Sequence, residues 1–360
     1  MKIKVGFIVL GLDFSGAENV LCDYINESNV IDPQIILIYK GNVKKEFEKR
    51  VNKKVNILCL NEPYKKNELR FFPYLCEKSV FKKLKYLIKK QKIDIVYANN
   101  TLELMLCKIA AKKISVPFVG HIHDMKENFG TIFKVLEVKR AFHYYDRLIT
   151  VSKACKSSWN FSKIKVIYNG IEPSFISTNI NPTRSIKMVG FVGMLNRRKG
   201  ADLLYKVIQH DASHLRWMIA YNTGSSKLIQ KYNLLSSNNK NIKIYHHLGK
   251  EEICNFYENI DLLVVPSRQD PLPTVVLEAM GKGKLVIGAD NAGGILELLG
   301  DEELMFKCTT NSLENKINEI QNWSEKHLQR DQIFLHNRSL SIFNSKVKTT
   351  MINEILTDLK

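Results

Sequence analysis

Short apolar runs alternate with amphipathic stretches along the chain. In the first half, residues 4–9, 34–39, 94–98, 118–121 and 147–151 are almost continuously apolar. That is the pattern of strands buried on both faces of a parallel sheet. Helical spacing of apolar positions occupies intervals between them, as at 17–26 and 80–90. The second half repeats the order. Strands are predicted at 187–193, 216–220, 242–245, 262–265 and 285–287, and helices at 202–209, 251–258, 274–280 and 295–299. This alternation predicts an α/β chain of two Rossmann-like, doubly wound domains. Residues 170–186 lose periodicity and are rich in Asn, Pro, Ser and Thr, so they read as a linker. The domains are accordingly set at 1–175 and 176–340. A last helix is predicted over 344–359, within a segment 341–360 that is free to cross back to the first domain. Two such domains are expected to face a cleft, where a ligand would sit.

Composition supports two ordinary cores, with 45% hydrophobic residues in 360. Charge adds more. The net charge is +18, and residues 1–180 carry 31 basic and 17 acidic side chains, so most of the excess lies in the first half. Such asymmetry points to an anionic partner: a nucleic acid, a membrane surface or an acidic substrate. The seven cysteines are scattered, odd in number and without a CxxC pair, which reads as reduced core thiols of a cytoplasmic protein. The start, MKIKVGFIVLGLD, has the lysines and apolar run of a signal peptide. Asp13 closes that run early and no small-residue cleavage site follows, so a first buried strand is expected instead. No apolar window reaches the ~18 residues needed to span a bilayer.

The densest chemistry lies in residues 261–300, DLLVVPSRQDPLPTVVLEAMGKGKLVIGADNAGGILELLG. A strand gives way to a Pro-rich loop carrying Asp270 and then to a helix that starts near Thr274 and carries Glu278. Free amides and the positive end of a helix dipole attract phosphate, while carboxylates accept hydrogen bonds from sugar or ribose hydroxyls. A second loop, GFVGMLNRRKGAD, ends a strand at Gly193 and places Arg197, Arg198 and Lys199 before Gly200. Cations beside a glycine at a strand's C-terminal end suit a diphosphate; a solvated basic loop is the competing reading. The first βα turn runs from Gly11 to Glu18 through Gly16, and is neither GxGxxG nor a P-loop. That argues against a nicotinamide-dependent dehydrogenase and a P-loop NTPase. His121 and His123 follow a strand and fall at the expected rim. A neutral imidazole there can hydrogen-bond a sugar hydroxyl, whereas HxHD lacks further ligands at a convincing zinc spacing. There is no Asp-x-Asp pair, so no metal is expected to hold a diphosphate, and its charge falls to Arg, Lys and a helix dipole.

Taken together these pieces resemble family 4 glycosyltransferases of the GT-B fold. The family's Glu-x7-Glu element is matched by Asp270 and Glu278, followed by Ala279 and Met280. Its basic loop is matched by Arg198, Lys199 and Gly200, and its first-domain turn by Ser15, Gly16, Ala17 and Glu18. Val151 and Ser152, Asn169 and Gly170, and Gly293, Gly294 and Glu297 match three further short elements in the right order. The matches run from residue 5 to about 299.

The resemblance implies a retaining, metal-independent transfer of a sugar from a nucleotide donor, UDP- or GDP-linked, with no other cofactor. It implies that Arg198 and Lys199 neutralise the diphosphate, helped by Arg197, Gly193 and the amides of Thr274 and Val275 after Pro273. Glu278 would bind the ribose, and Asp270 and His123 would face the donor sugar. Gly16 would let the first loop approach the diphosphate. Two departures stand out: Met194 replaces an Arg frequent after the strand-ending Gly, and Asp270 is one methylene shorter than the family's Glu. The expected acceptor is a glycan or a lipid-linked sugar of bacterial surface polysaccharide (capsule, O-antigen or exopolysaccharide).

The basic first half is expected to meet the inner face of the plasma membrane. Lys82, Lys83, Lys85, Lys89 and Lys90 interleave with Val80, Phe81, Leu84, Leu87 and Ile88 at helical spacing, and LRFFPYL lies upstream with Arg70. Each basic residue near an anionic leaflet contributes about 1 kcal/mol. A crossover helix that buries its apolar stripe is the plainer account, and both can hold. The competing functions are a GT-B nucleotide-sugar epimerase and, ranked below it, a nucleic-acid-binding protein. No nucleic-acid-binding motif is present.

Overall fold

The computed structural model describes residues 2–12, 14–41, 43–52, 54–62, 73–210 and 215–360. Asp13 and the 69–72 part of LRFFPYL, including Arg70, lie outside the described residues. The chain forms two compact units, one of residues 1–169 with 345–360, the other of residues 170–344.

The first unit runs β1 (Ile3–Val9), α1 (Gly16–Glu27), β2 (Ile31–Tyr39), α2 (Val43–Arg50), β3 (Asn56–Glu62), α3 (Pro73–Gln91), β4 (Ile95–Ala98), α4 (Thr101–Leu106), α5 (Lys108–Lys113), β5 (Phe118–Ile122), α6 (Ile132–Phe142), β6 (Arg147–Thr150), α7 (Lys153–Trp159) and β7 (Ile164–Val166). Its seven strands are parallel in the order β3-β2-β1-β4-β5-β6-β7. Successive strand side chains point to opposite faces, and β1 shows the consequence. Ile3, Val5, Phe7 and Val9 enter one core with Leu21, Tyr24 and Ile25 of α1. Ile8 enters the other, where Val80, Leu84 and Ile88 of α3 are buried. The apolar stripe of α3 is therefore core, while Lys82, Lys85, Lys89 and Lys90 remain exposed. Strands β3 and β7, absent from the sequence reading, flank the sheet; their short or mixed patterns are those of edges rather than centres.

The second unit runs β8 (Met188–Val192), α8 (Ala201–His210), β9 (Arg216–Tyr221), α9 (Ser226–Asn238), β10 (Ile242–His246), α10 (Lys250–Glu258), β11 (Leu262–Val265), α11 (Thr274–Gly281), β12 (Leu285–Ala289), α12 (Ile295–Leu299), β13 (Met305–Phe306), α13 (Thr310–Gln321) and α14 (Glu325–Ile342). Its six strands are parallel in the order β10-β9-β8-β11-β12-β13. The last helix, α15 (Ser345–Asp358), belongs to the first unit. Ile352, Ile355 and Leu356 join the core beside α1, and the Tyr24 hydroxyl donates to Asn353 Oδ1 at 2.8 Å.

In both sheets the strand order reverses direction beside the first strand of the unit, between β1 and β4 and between β8 and β11. Loops leaving such neighbours diverge to opposite faces and open a crevice at the strand C-termini, where α/β sheets bind ligands. The two loops singled out in the second half, after β8 and after β11, leave such a pair.

Candidate donor site and the rim of the first unit

The loop after β8 is built to present cations. It turns at Gly200, whose φ is +72°. A Cβ there would also sit 1.8 Å from the Pro266 carbonyl oxygen at the end of β11. Only glycine combines that left-handed backbone with so close an approach. Arg268 then ties the two loops together. Its guanidinium donates to both carboxylate oxygens of Asp202, at 2.6 and 3.0 Å, and to the Arg197 carbonyl at 2.6 Å. Its own N–H donates to the Arg198 carbonyl at 2.8 Å. With the backbone so held, the Arg197 and Arg198 side chains project as exposed groups. Arg198 makes only a long contact, 3.4 Å, to the Gln269 carbonyl. Met194, at the family's arginine position, is exposed and carries no charge.

Lys199 and Asp270 meet directly. The ammonium lies 2.5 Å from Asp270 Oδ2, and Ser267 Oγ donates weakly to the same oxygen at 3.4 Å. Asp270 is buried and held by its backbone as well. Its N–H donates to the Ala292 carbonyl at 2.5 Å, and its carbonyl accepts from Gly294 N–H at 3.0 Å. The Gly293–Gly294 pair thus serves as a clamp on Asp270: a Cβ on Gly294 would lie 2.2 Å from the Pro271 carbonyl oxygen. In this structure Asp270 is the counter-ion of Lys199.

Helix α11 begins at Pro273, which supplies no side-chain cap. The first-turn amides of Thr274 and Val275 therefore take no hydrogen bond from it, the arrangement that makes a helix start an anion site. Glu278 lies one turn on, half-buried, and accepts from the Tyr257 hydroxyl at 2.7 Å. Burial, then the neighbouring Glu278 carboxylate, pushes the Tyr257 hydroxyl well above its ordinary range, so it stays a donor. Gly193, Arg197, Arg198, Lys199, Asp270, Pro273, Thr274, Val275 and Glu278 all belong to the second unit, on the loops and helix start that follow β8 and β11.

Gly16 and His123 belong to the first unit. Gly16 opens α1, and a Cβ built on it meets nothing within 4 Å. Nothing among the described residues requires a glycine there, and space is left before the helix start. Ser15 and Glu18 fix that start: Glu18 accepts from Ser15 N–H at 2.8 Å and from its hydroxyl at 2.5 Å. Their S-x-x-E spacing is a capping-box signature.

His121 and His123 lie with ring centroids 3.9 Å apart and ring planes tilted by 46°. The Tyr97 hydroxyl lies 2.8 Å from His121 Nδ1; with that hydroxyl donating, the His121 proton sits on Nε2. Both Nε2 atoms are shielded and without a hydrogen-bond partner among the described residues. Burial, then the Lys348 ammonium, lowers the His123 imidazole to about 3, and it is neutral at physiological pH. His121 is likewise held well below the ordinary imidazole range by burial, then by His123 and Lys348.

The same rim holds Glu103, which the sequence pattern did not single out. It is buried, accepts from Leu10 N–H at 2.7 Å and leaves Oε2 unpartnered among the described residues. Burial and the nearby Glu18 carboxylate raise it to about 8. Its partner Leu10 leads directly into the Gly11–Gly16 loop.

Among the described residues one group of three metal-capable side chains occurs, Glu303, His327 and Asp331, in none of these loops. Arg330 occupies it, donating to Asp331 at 2.6 Å and lying 3.3 Å from Glu303 and 2.8 Å from His327 Nε2. A resident guanidinium there disfavours a second cation.

A basic loop and an uncapped helix start at the switch point of one parallel sheet, with a second parallel α/β unit beside it in sequence, fit the GT-B glycosyltransferase class. The chain belongs to glycosyltransferase family 4: residues 43–175 match the description "Glycosyltransferase Family 4" and residues 176–333 match "Glycosyl transferases group 1". A glycosyltransferase of Haemophilus influenzae without an assigned activity is 23% identical over 87% of this chain and 88% of its own. The Escherichia coli UDP-Gal:alpha-D-GlcNAc-diphosphoundecaprenol alpha-1,3-galactosyltransferase is 24% identical over 87% and 92%. Among solved structures, Anabaena Alr3699/HepE in complex with UDP and glucose superposes with a TM-score of 0.80 at 21% identity, covering 99% of this chain and 100% of that one. The sucrose-phosphate synthase of Thermosynechococcus elongatus reaches 0.81 at 13% identity, covering 99% of each chain.

Proposed function

We propose that this glycosyltransferase moves a sugar, with retention of anomeric configuration, from a UDP- or GDP-linked donor to a lipid-linked or glycan acceptor. The pathway is assembly of a bacterial surface polysaccharide at the inner face of the plasma membrane. The observation that carries this reading is the fastening of the Arg197–Lys199 loop to the loop that leads into the uncapped start of α11, through the Lys199–Asp270 and Arg268–Asp202 pairs. Departure of a nucleoside diphosphate puts negative charge on its phosphates. Cations and amides already held in place stabilise that charge more in the transition state than in the ground state.

Lys199 has a double part here. Paired with Asp270 when the site is empty, it turns to the diphosphate when the donor binds, and Asp270 becomes an acceptor for a donor-sugar hydroxyl. Glu278, held by Tyr257, takes the ribose. On the first unit, His123 offers a neutral imidazole to a sugar hydroxyl. Metal is not required, because Arg, Lys and the helix start meet the charge. With retention, a donor phosphate oxygen takes the acceptor's proton and no protein base is needed. The E. coli relative, which acts on a diphosphoundecaprenol-linked sugar, supports a lipid-linked acceptor.

Calorimetric titration against UDP-, GDP-, ADP- and CMP-sugars tests the reading. One uridine or guanosine donor should bind, with Glu278→Ala and Lys199→Ala abolishing transfer in folded protein. Full activity in both variants refutes the site. An inverted product, read by NMR of the new linkage, refutes retention.

A further inference from the structure

Helices α3, α5 and α6 of the first unit carry twelve basic and two acidic residues. Both acids, Glu77 and Glu137, are buried, and Lys108 sits between them as an ion-pair partner of each, 3.3 Å from Glu77. Arg140 holds Glu137 from the other side at 2.6 Å. This bridge fixes the three helices to one another and consumes the negative charge inside them. The charges they turn outward are all positive: Lys82, Lys85, Lys89 and Lys90 on α3, and Lys112 and Lys113 on α5, are exposed. Tyr86 lies among them, 64% exposed, with the Lys90 ammonium 5.6 Å from its ring centroid.

The first turn of α6 adds something a solvated basic face does not need. Ile132 is 82% exposed, Phe133 52% and Leu136 50%. Ile132 and Leu136 are one turn apart on the same side, with Phe133 beside them. Other exposed large apolar residues described in this unit are single, whereas these three fall within five positions. The turn is no frayed end: Thr131 caps it by accepting from Lys134 N–H, and its inner side is anchored by buried Val138, Ala141 and Phe142. The loop before it is pinned by Trp159, whose indole N–H donates to the Asp124 carbonyl at 2.7 Å. The polar groups around the turn are Lys126 paired with exposed Glu127, half-buried Lys134 and Lys139, and exposed Arg140.

We propose that this face docks on an anionic lipid leaflet, with the α3 and α5 lysines at the headgroups and Ile132, Phe133 and Leu136 inserted at the acyl boundary. Charge complementarity selects the lipid surface: positive helices tied through Lys108 to the helix that carries a compact apolar wedge match an anionic interface. An apolar partner protein would leave the unopposed lysines without a role. The proposal rests on the lipid-linked acceptor reading and refines it. The wedge begins nine residues after His123, on the loop and helix that follow the same strand. Docking there would set the first unit's sugar-facing rim beside the bilayer that holds the acceptor.

Vesicle co-sedimentation with the full chain tests this without donor or acceptor. It should partition onto vesicles of about 30% phosphatidylglycerol in phosphatidylcholine and not onto phosphatidylcholine alone. Ile132→Ser/Phe133→Ser/Leu136→Ser should lower that partition at least tenfold, with unchanged thermal unfolding and unchanged donor calorimetry. In a Phe133→Trp variant, indole emission from that position should shift to the blue on anionic vesicles and be quenched by brominated acyl chains. Triple-variant partition equal to wild type, or indole emission of the Phe133→Trp variant left unquenched, overturns the wedge. Self-association of the wild type that the triple variant loses, without vesicle binding, overturns it by assigning the turn to a second copy. Donor binding is read separately in every variant, so absence of wild-type vesicle binding with donor binding intact refutes docking and leaves the transferase reading standing.

Discussion

Replacing Glu103 by glutamine should stabilise the protein increasingly as pH rises. The wild-type carboxyl is raised from 4.5 to about 8 by burial and by Glu18. The folded state thus holds a proton that the unfolded chain gives up above pH 4.5. Glu103's contribution is fully present below pH 4.5 and is lost progressively as pH climbs toward 8. At about 1.4 kcal/mol per pH unit, the loss at pH 7 is about 3 kcal/mol. A glutamine keeps an oxygen to accept from Leu10 N–H and has nothing to titrate. Urea unfolding of both proteins at pH 4.5, 6, 7 and 8 checks this. The difference between them should shift by about 3 kcal/mol in favour of Glu103→Gln between pH 4.5 and 7. His121 and His123 are common to both proteins and cancel in that difference. A difference that stays flat within about 1 kcal/mol would mean that the carboxyl ionises in the fold. Leu10 would then be held by a carboxylate, and the neutral-acid account of this rim would fail.

On the acid side the sign reverses. His123, lowered to about 3, stays neutral while the unfolded chain protonates near 6.5, so stability falls as pH drops through that window. His123→Gln should remove about 2 kcal/mol of that loss at pH 5, read as a flatter urea midpoint against pH. The Lys199–Asp270 pair should show coupling of about 1–3 kcal/mol in a double-mutant cycle of Lys199→Met and Asp270→Asn. The coupling should shrink in saturating donor, when the ammonium turns to phosphate; coupling unchanged by donor would refute that exchange. Gly200→Ala should cost about 2–3 kcal/mol and weaken donor binding at least tenfold, since a left-handed backbone and the Pro266 carbonyl both oppose a Cβ. Wild-type thermal stability and donor affinity in that variant would show the loop to be slack.

The sequence disclosed the loops better than what holds them. Apolar runs at 4–9 and 262–265 announced central strands because a buried parallel strand has no polar face to confuse the pattern. The cations at 197–199 announced themselves by sitting where a strand ends. Their fastening did not. Arg268 reaches Asp202 from 66 positions away, and its sequence neighbours give no hint of a clamp. Tyr257 and Glu278 meet across 21 positions. The pairing of Asp270 with Lys199, 71 residues upstream, is likewise invisible in the local sequence. Glu103 sits in TLELML, where a glutamate between leucines suggests the polar side of a helix; only the packing of α4 under the first loop buries it. Ser15 and Glu18 are a nearer case: their S-x-x-E spacing is a local cap signature, yet in the sequence they read only as part of the first-domain turn. Exposed apolar side chains such as Ile132 and Phe133 are indistinguishable in sequence from core residues, because a hydrophobic pattern does not say which face is covered.

Helix α15 has a bearing on how the chain is made. The second unit is one uninterrupted stretch, residues 170–344, and can close as soon as it clears the ribosome. The first unit cannot. The groove beside α1 waits for Ile352, Ile355 and Leu356, and the paired histidines wait for the Lys348 ammonium. Domains usually fold as units in the order of synthesis; here the half translated first is completed last. During that interval its apolar flank is open, and a nascent chain stalled before residue 345 would expose it to chaperones and proteases.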